Sequence, residues 1–336
     1  MDTLKDVETR PGPGAIRTAL LVLLIAASVS GSSIAAAAIL DPGDHGFTLE
    51  HQFRKRSYLA RVPPHATAAA PLPVVLNFHG GAANAKNHKS YSRMDAVADR
   101  EGFIAVYPNG SGGIGERFLT WNAGTCCGPA AATQADDVGF VLALLDDLAR
   151  RTPVDRNRIY ATGLSNGAMM AYRLAAEASE RIAAVAPVAG AMTVVRFAPS
   201  RPVPVMHIHS VDDQRALYNG GLGPPFPLSG TRVLHPPVEE MLARWVRHNG
   251  CAPQPAIAAA LRGGDGTRDQ GQSARKFVYA PCRAGTEVVL WKLTGAGHVW
   301  PGGQRDYMKR LLGADTAIID ANSEMWRFFS RFTLSR

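Results

Sequence analysis

From Tyr58 onward, short apolar runs alternate with longer amphipathic segments. Val74 to Phe78 is apolar apart from Asn77, which is typical of a strand buried on both faces of a parallel sheet. Further predicted strands are Tyr58–Val62, Gly102–Tyr107, Ile182–Pro187, Pro202–His209, Lys276–Ala280 and Glu287–Leu293. The predicted helices are Ser92–Arg100, Val138–Arg150, Pro237–Asn249 and Ile319–Thr333. This alternation predicts an α/β fold, with a mostly parallel central sheet flanked by helices, in one domain over residues 44–336.

Two stretches lack the apolar pattern of the predicted strands. Asp41 to Gly46 is polar and contains Gly and Pro, so we expect an irregular entry into the domain. Gln254 to Arg275 is polar and Gly-rich with a run of Ala, and we expect a surface excursion there. Asp136 and Asp137 directly precede the helix at Val138, where acidic side chains favour the N-terminus, so we expect them to act as caps.

The segment Arg158 to Arg173 has the pattern of a strand, a sharp turn and a helix. Gly163, Ser165 and Gly167 form G-x-S-x-G at the turn, the arrangement known as a nucleophile elbow. Glycine is needed on both sides because a Cβ there would press on the strand or the helix. The turn lifts the serine hydroxyl clear of the sheet and directs the N–H of Asn166 toward a developing oxyanion. Ser165 is therefore the predicted nucleophile.

The apolar strand that ends at Phe78 is followed by His79-Gly80-Gly81. In many serine hydrolases such a sequence supplies the second half of the oxyanion hole, because glycine lets the backbone approach the substrate oxygen closely. We expect the N–H of Gly81 to be this donor, together with that of Asn166. The alternative is a Gly-rich turn with no catalytic part.

A candidate acid and a candidate base follow the serine in chain order. Asp213 comes after the predicted strand Pro202–His209, and His298 lies in a Gly-rich loop after another strand. The order Ser, Asp, His is that of an α/β-hydrolase triad, in which the histidine takes the serine proton and the acid orients the histidine. Asp212 is the alternative acid, because strand ends predicted from sequence are uncertain by a residue or more.

The other histidines near these segments lack the Gly-flanked setting of the predicted base. His207 lies inside a predicted strand and is expected to be a packed residue. His209 ends that strand and is expected to shape the acid loop, whereas His79 belongs with the oxyanion loop.

The charge and composition limit the classes of function that the chain can have. The chain has a formal net charge of +8, and apart from Arg54-Lys55-Arg56 the basic residues are scattered without interleaved aromatics. This pattern favours a basic surface over a nucleic-acid site, and we expect no nucleic-acid partner. No His, Cys or acidic spacing typical of a metal site accompanies the motifs, so neither a metal nor a cofactor is expected.

The N-terminal segment resembles an export signal. Thr18 to Val29 is apolar, is preceded by Arg17 and is followed by small residues through Ala38. The apolar run is short for a bilayer span and fits the hydrophobic part of a signal peptide over residues 1–38. An uncleaved anchor is the alternative, and only then would a stable membrane association be expected. Either way the domain is expected to be secreted or periplasmic.

Export permits disulfides among the four cysteines. We expect Cys251 to pair with Cys282, since a helix ends just before the first and a strand just before the second. The state of the adjacent Cys126 and Cys127 stays open between a vicinal disulfide and two free thiols.

The motifs together resemble the esterases of the polyhydroxybutyrate depolymerase type, which are related to feruloyl and acetylxylan esterases. The resemblance runs from about Tyr58 to the C-terminus, and the elbow and the Gly-His-x-Trp-Pro-Gly-Gly stretch are its most specific parts. The matching segments are 77–81, 136–140, 160–172, 186–190, 209–218 and 297–303.

The resemblance implies roles for individual residues: Ser165 as nucleophile, Asp213 as acid and His298 as base. The family's acid loop usually runs His-Gly-Thr-x-Asp, whereas here Ser210 stands at the glycine position. Tyr218 keeps its spacing from Asp213, which favours that aspartate over its neighbour.

The function implied is a secreted serine ester hydrolase that acts on small or oligomeric esters, such as hydroxyalkanoate oligomers, feruloyl esters or acetyl esters. Trp121 and Trp300 are candidate substrate contacts, with core packing as the alternative for each. Other interpretations are an extracellular depolymerase of solid poly(3-hydroxybutyrate), which usually needs a polymer-binding module, a serine peptidase, or a non-catalytic envelope protein on a hydrolase fold.

Overall fold

The computed structural model describes residues 40–67, 70–226 and 230–334. The predicted signal segment, residues 1–38, lies outside the described residues. Within the described residues, no helix is both long enough and apolar enough to cross a membrane.

One sheet of ten strands runs through the described domain. The strands are β1 (Gly43–His51), β2 (Arg54–Val62), β3 (Leu72–Phe78), β4 (Ile104–Pro108), β5 (Val154–Leu164), β6 (Ala184–Val188), β7 (Val205–Ser210), β10 (Ala256–Arg262), β11 (Ser273–Tyr279) and β12 (Val288–Thr294). A separate short pair consists of β8 (Gly221–Leu222) and β9 (Leu234–His235).

The order across the large sheet is β1-β2-β4-β3-β5-β6-β7-β12-β11-β10. The central strands β4, β3, β5, β6, β7 and β12 pair in parallel, while the flanking strands pair antiparallel. The carboxyl ends of the parallel strands therefore meet at one edge, where a parallel sheet carries its ligand site. This arrangement confirms the predicted α/β fold.

Helices cover both faces of the sheet. They are α1 (Ala85–Ser92), α2 (Asp95–Glu101), α3 (Gly128–Ala132), α4 (Asp137–Arg151), α5 (Asn166–Glu177), α6 (Val238–Asn249), α7 (Lys309–Leu312) and α8 (Ala321–Phe329). Residues of α4, α5 and α6 share one apolar core with one face of the sheet. Residues of α1, α2 and α8 share a second core with the opposite face.

Two stretches that were not predicted as strands belong to the edges of the sheet. The expected irregular entry from Asp41 to Gly46 is already part of β1 from Gly43. The expected surface excursion from Gln254 to Arg275 contains the hairpin of β10 and β11. Both β1 and β10 are edge strands that pair on one side only, so neither requires the continuous apolar run of a central strand.

Disulfides link cysteines in both places where pairing was considered. Cys251, two residues after α6, is bonded to Cys282, three residues after β11, as predicted. Cys126 and Cys127 are paired with each other, which selects the vicinal disulfide from the two states left open by the sequence.

Candidate active site

Ser165 stands at the turn between β5, which ends at Leu164, and α5, which begins at Asn166. Its backbone has φ 58° and ψ −120°, and its N–H donates to the carbonyl of Val188 on the neighbouring strand at 2.9 Å. A positive φ is costly for a serine and persists only where the surroundings enforce it. The structure thus has the strand, strained turn and helix of a nucleophile elbow at the predicted serine.

The two flanking glycines are required by close backbone contacts. A Cβ added to Gly163 would lie 2.6 Å from the carbonyl oxygen of Phe78. A Cβ added to Gly167 would come 2.6 Å from the carbonyl oxygen of His79 and closer still to that of Phe78. No side chain fits at these distances, so the elbow can pack against the end of β3 only with glycine at both positions.

The loop His79-Gly80-Gly81 lies directly against the elbow. The Cβ position of Gly80 is 3.6 Å from Cβ of Ser165, and that of Gly81 is 3.7 Å from Cβ of Asn166. Within the described residues, neither the N–H of Gly81 nor that of Asn166 donates to a protein acceptor. Two backbone donors beside one serine hydroxyl are what an oxyanion hole requires.

His79 fixes the oxyanion loop from inside the protein. Its Nε2 accepts the N–H of Gly110 at 2.9 Å, so its Nδ1 carries the hydrogen that is donated to the carbonyl of Gly80 at 2.8 Å. Burial lowers the pKa of His79 to about 4, which keeps the ring neutral in this tautomer at pH 7.

His298 and Asp213 are joined by a hydrogen bond of 2.7 Å from Nδ1 to Oδ2. The other carboxylate oxygen, Oδ1, accepts the backbone N–H groups of Arg215 at 2.7 Å and Ala216 at 2.8 Å. Burial alone would raise the pKa of the Asp213 carboxyl, but the charge of His298 and the bonds from His209 and His298 hold it well below its usual range. A buried, ionised carboxylate thus holds the histidine by one of its two ring nitrogens.

The alternative acid, Asp212, is directed elsewhere. It is exposed, and its Oδ2 accepts the N–H of Gly295 at 2.6 Å. This bond ties the acid loop to the loop that carries His298. Of the two aspartates, Asp213 is thus the one bonded to the histidine.

A model of the family described as Esterase PHB depolymerase matches residues 56–223. The matched segment begins within β2 and runs through β8, so it includes the elbow and the acid loop. The chain belongs to this family. The resemblance seen in the sequence motifs is thereby confirmed.

Two curated proteins illustrate the similarity of this family member to named esterases. Feruloyl esterase B of Piromyces equi is 27% identical over 263 residues, which are 76% of this chain and 45% of that protein. The putative esterase NocK of Nocardia uniformis subsp. tsuyamanensis is 30% identical over 278 residues, which are 78% of this chain and 75% of that protein. The chain thus spans about half the length of the first relative and three quarters of the second.

A solved structure supports the fold. The acetyl xylan esterase from Aspergillus awamori superposes with a TM-score of 0.55 at 13% sequence identity, over 85% of this chain and 99% of that one. With the parallel sheet and the elbow, this likeness identifies the α/β-hydrolase fold.

The two tryptophans proposed as substrate contacts are buried in this family member. Trp121 donates its indole N–H to the carbonyl of His79 at 3.0 Å. Trp300 donates its indole N–H to Oδ1 of Asn322 at 3.1 Å, and its backbone N–H donates to the hydroxyl of Tyr91. Both rings are 1% exposed or less, which favours the packing alternative for each.

The loop after Trp121 contacts the elbow helix in ways that the sequence motifs did not predict. The side chain of Asn166 accepts the backbone N–H of Trp121 at 2.7 Å and donates to its carbonyl at 3.0 Å. Further along the loop, the vicinal Cys126–Cys127 pair packs against Met169 of α5. These contacts bring together residues more than 40 positions apart, and no local motif encodes such a pairing.

The two acidic residues at the start of α4 have different environments. Asp136 caps the helix, since its Oδ1 accepts the N–H of Gly139 at 2.9 Å, as predicted. Asp137 is instead buried: it accepts from the guanidinium of Arg56 at 2.7 Å and from the N–H of Asn122 at 2.8 Å. Burial raises the pKa of Asp137, and the charge of Arg56 opposes that shift. The pair therefore anchors the loop next to Trp121.

Two further side chains lie near the site, and no motif in the sequence pointed to them. The ring of Phe226 lies 3.6 Å from the Cβ position of Gly81. His235 of β9 is buried, and its pKa is lowered to about 4 by burial and by the nearby charge of His298. Across the described ranges, no group of three or more His, Cys, Asp or Glu residues is arranged to hold a metal ion.

Proposed function

We propose that this protein is a serine carboxylic ester hydrolase in which Ser165 is the nucleophile, His298 the base and Asp213 the acid. The observation that carries the proposal is the strained elbow at Ser165, which lies against the Gly80-Gly81 loop. In the same structure, His298 is bonded to the buried Asp213. A serine in this backbone conformation is costly to maintain, and such strain is concentrated at functional sites.

The chemistry follows from these groups. The Ser165 hydroxyl oxygen attacks the ester carbonyl carbon while its proton moves to Nε2 of His298. The N–H groups of Asn166 and Gly81 donate to the oxyanion of the tetrahedral intermediate. When the intermediate collapses, His298 returns the proton to the leaving alcohol and an acyl-enzyme remains. Water then repeats the attack, with its proton taken by His298, and releases the acid and the free serine.

Asp213 keeps the hydrogen of His298 on Nδ1, so that Nε2 presents its lone pair for the serine proton. The ionised carboxylate also stabilises the imidazolium that forms during attack. Because Oδ1 of Asp213 is already occupied by two backbone N–H groups, Oδ2 is the oxygen available to His298.

For the substrate we propose small or oligomeric esters: hydroxyalkanoate oligomers, feruloyl esters or acetyl esters. The names of the relatives, a feruloyl esterase and a bifunctional acetylxylan esterase/xylanase of Neocallimastix patriciarum, support the ester classes. The proposed location is secreted or periplasmic, with residues 1–38 as signal peptide. N-terminal sequencing of the protein recovered outside the cytoplasm would test that part.

The test of the activity compares initial rates on p-nitrophenyl butyrate, methyl ferulate and a soluble 3-hydroxybutyrate oligomer. Wild type is expected to hydrolyse at least one, and Ser165→Ala is expected to lose more than about 10⁴-fold in kcat. The preferred ester then defines the substrate class. A fluorophosphonate probe should label wild type but not the variant. Folded wild type that neither turns over any ester nor takes the label would favour the non-catalytic alternative.

A further inference from the structure

Behind the acid loop, three buried side chains form a continuous row of hydrogen bonds. The hydroxyl of Tyr172 on α5 lies 3.0 Å from Nδ1 of His207 on β7. Nε2 of His207 lies 3.0 Å from Nδ1 of His209, two residues further along the same strand. Nε2 of His209 lies 2.8 Å from the carbonyl oxygen of Ala216. All three side chains are 1% exposed or less, so the row is shielded from solvent.

The partners at the two ends of the row fix the direction of its bonds. The carbonyl of Ala216 can only accept, so Nε2 of His209 must carry a hydrogen. At the other end, the only hydrogen-bond partner of the Tyr172 hydroxyl within the described residues is Nδ1 of His207, so the hydroxyl donates to that nitrogen. A neutral His207 then carries its hydrogen on Nε2 and donates it to Nδ1 of His209.

The surroundings keep His207 and Tyr172 uncharged at pH 7. Burial holds the pKa of His207 well below its usual range, and the neighbouring His209 acts in the same direction. Burial likewise holds the pKa of the Tyr172 hydroxyl well above its usual range. Tyr172 therefore stays a donor and His207 stays a neutral relay between the tyrosine and His209.

The row ends at the acid of the proposed triad. Nε2 of His209 lies 3.3 Å from Oδ2 of Asp213, the same oxygen that accepts from His298. The N–H of His209 is thus placed beside both the Ala216 carbonyl and the carboxylate. In the opposite tautomer a lone pair would face both of these oxygens and repel them.

We propose that His209 is a positioning residue for Asp213, and that Tyr172 and His207 fix the tautomer in which it presents its Nε2–H to the carboxylate. The inference rests on the proposed function, because it assigns a partner to the acid of that triad. With Oδ1 held by backbone N–H groups and Oδ2 flanked by His209, the carboxylate keeps one orientation while His298 gains and loses a proton.

The kinetic test uses paired variants of the full chain. His209→Leu removes the donor, and we expect kcat on the preferred ester to fall about 10–100-fold with KM little changed, as when a hydrogen-bond partner of an active-site group is lost. His209→Gln retains an N–H at a similar distance along the side chain and should recover most of that loss. The control is His248→Leu, which removes a part-buried imidazole bonded to the carbonyl of Arg201, and it should stay within about twofold of wild type.

A second measurement does not depend on the variants folding or on activity. Nitrogen-15 NMR of labelled wild type should show a hydrogen on Nε2 of both His207 and His209, with His207 neutral at pH 7. An Nδ1–H tautomer for His209, or a His209→Leu enzyme with wild-type kcat, would overturn the inference. An inactive wild type with the expected tautomers would instead defeat the proposed function and leave the hydrogen-bond row as it stands.

Discussion

The side chain of Asn166 holds the backbone of Trp121 from both sides, accepting its N–H at 2.7 Å and donating to its carbonyl at 3.0 Å. The same residue supplies one of the two proposed oxyanion donors through its own backbone N–H. The loop after Trp121 and the start of α5 are therefore fixed to each other at the point where charge would develop during the reaction.

Replacing Asn166 with Ala should weaken both stability and catalysis. The buried N–H of Trp121 would lose its partner, at a cost of about 1–3 kcal/mol, while the Trp121 carbonyl would keep only the N–H of Cys127. We expect a lower urea midpoint and a kcat that is reduced by roughly tenfold or more, since a loosened α5 start displaces an oxyanion donor. The control is Asn219→Ala, at an exposed position near the acid loop. An Asn166→Ala protein with unchanged midpoint and kcat would contradict the structural role of this contact.

The elbow was predictable because its constraints are local. Gly163, Ser165 and Gly167 fall within five residues, and the structure shows the backbone contacts that exclude a side chain at both glycines. The central strands were predictable for a related reason: a strand covered on both faces must be almost entirely apolar, as Val74 to Phe78 is apart from Asn77. The local sequence was therefore enough to predict most of the parallel strands and the nucleophile.

The edge strands and the supporting contacts were not predictable in this way. β10 is exposed along most of its length and its Ala-rich sequence has no apolar periodicity, so only its pairing with β11 makes it a strand. The Arg56–Asp137 pair and the row from Tyr172 to His209 each join segments far apart in the chain. His207 and His209 share one strand face by their spacing, but the sequence does not show what that face meets.

The choice between the two aspartates gives a matched pair of variants. Asp213→Asn should lower kcat by about 10³–10⁴-fold, because an amide no longer fixes the histidine tautomer or stabilises its charged form. Asp212→Asn removes only a carboxylate that accepts the N–H of Gly295 on the protein surface, and we expect kcat within about threefold of wild type. Steady-state kinetics on one ester measure both. The reverse ranking would make Asp212 the acid.

Buried histidines should make stability depend on pH below neutrality. Burial lowers the pKa of His88 to about 3, while an unfolded histidine titrates near 6.5. Between these values the unfolded state binds the extra proton, so this contribution to stability is complete above pH 6.5 and is lost as the pH falls. Its size is about 2 kcal/mol between pH 7 and pH 5.

The pH prediction is checked by urea unfolding of wild type and His88→Gln at pH 7 and pH 5. The amide can still bond to Asn77 but does not titrate, so the variant should lose less stability over this interval than wild type does. Equal losses in the two proteins would show that His88 is not held neutral in the folded state.

The two disulfides should contribute very differently to global stability. Cys251–Cys282 closes a loop between residues 31 apart, which restricts the unfolded chain and stabilises by about 3–4 kcal/mol on the chain-entropy model. Cys126–Cys127 joins adjacent residues and closes no comparable loop. We therefore expect Cys251→Ala/Cys282→Ala to lower the urea midpoint strongly, and Cys126→Ala/Cys127→Ala to lower it by much less. Reduction of wild type should reproduce the first effect. Equal midpoints for the two double variants would mean that loop closure is not what the long-range disulfide contributes.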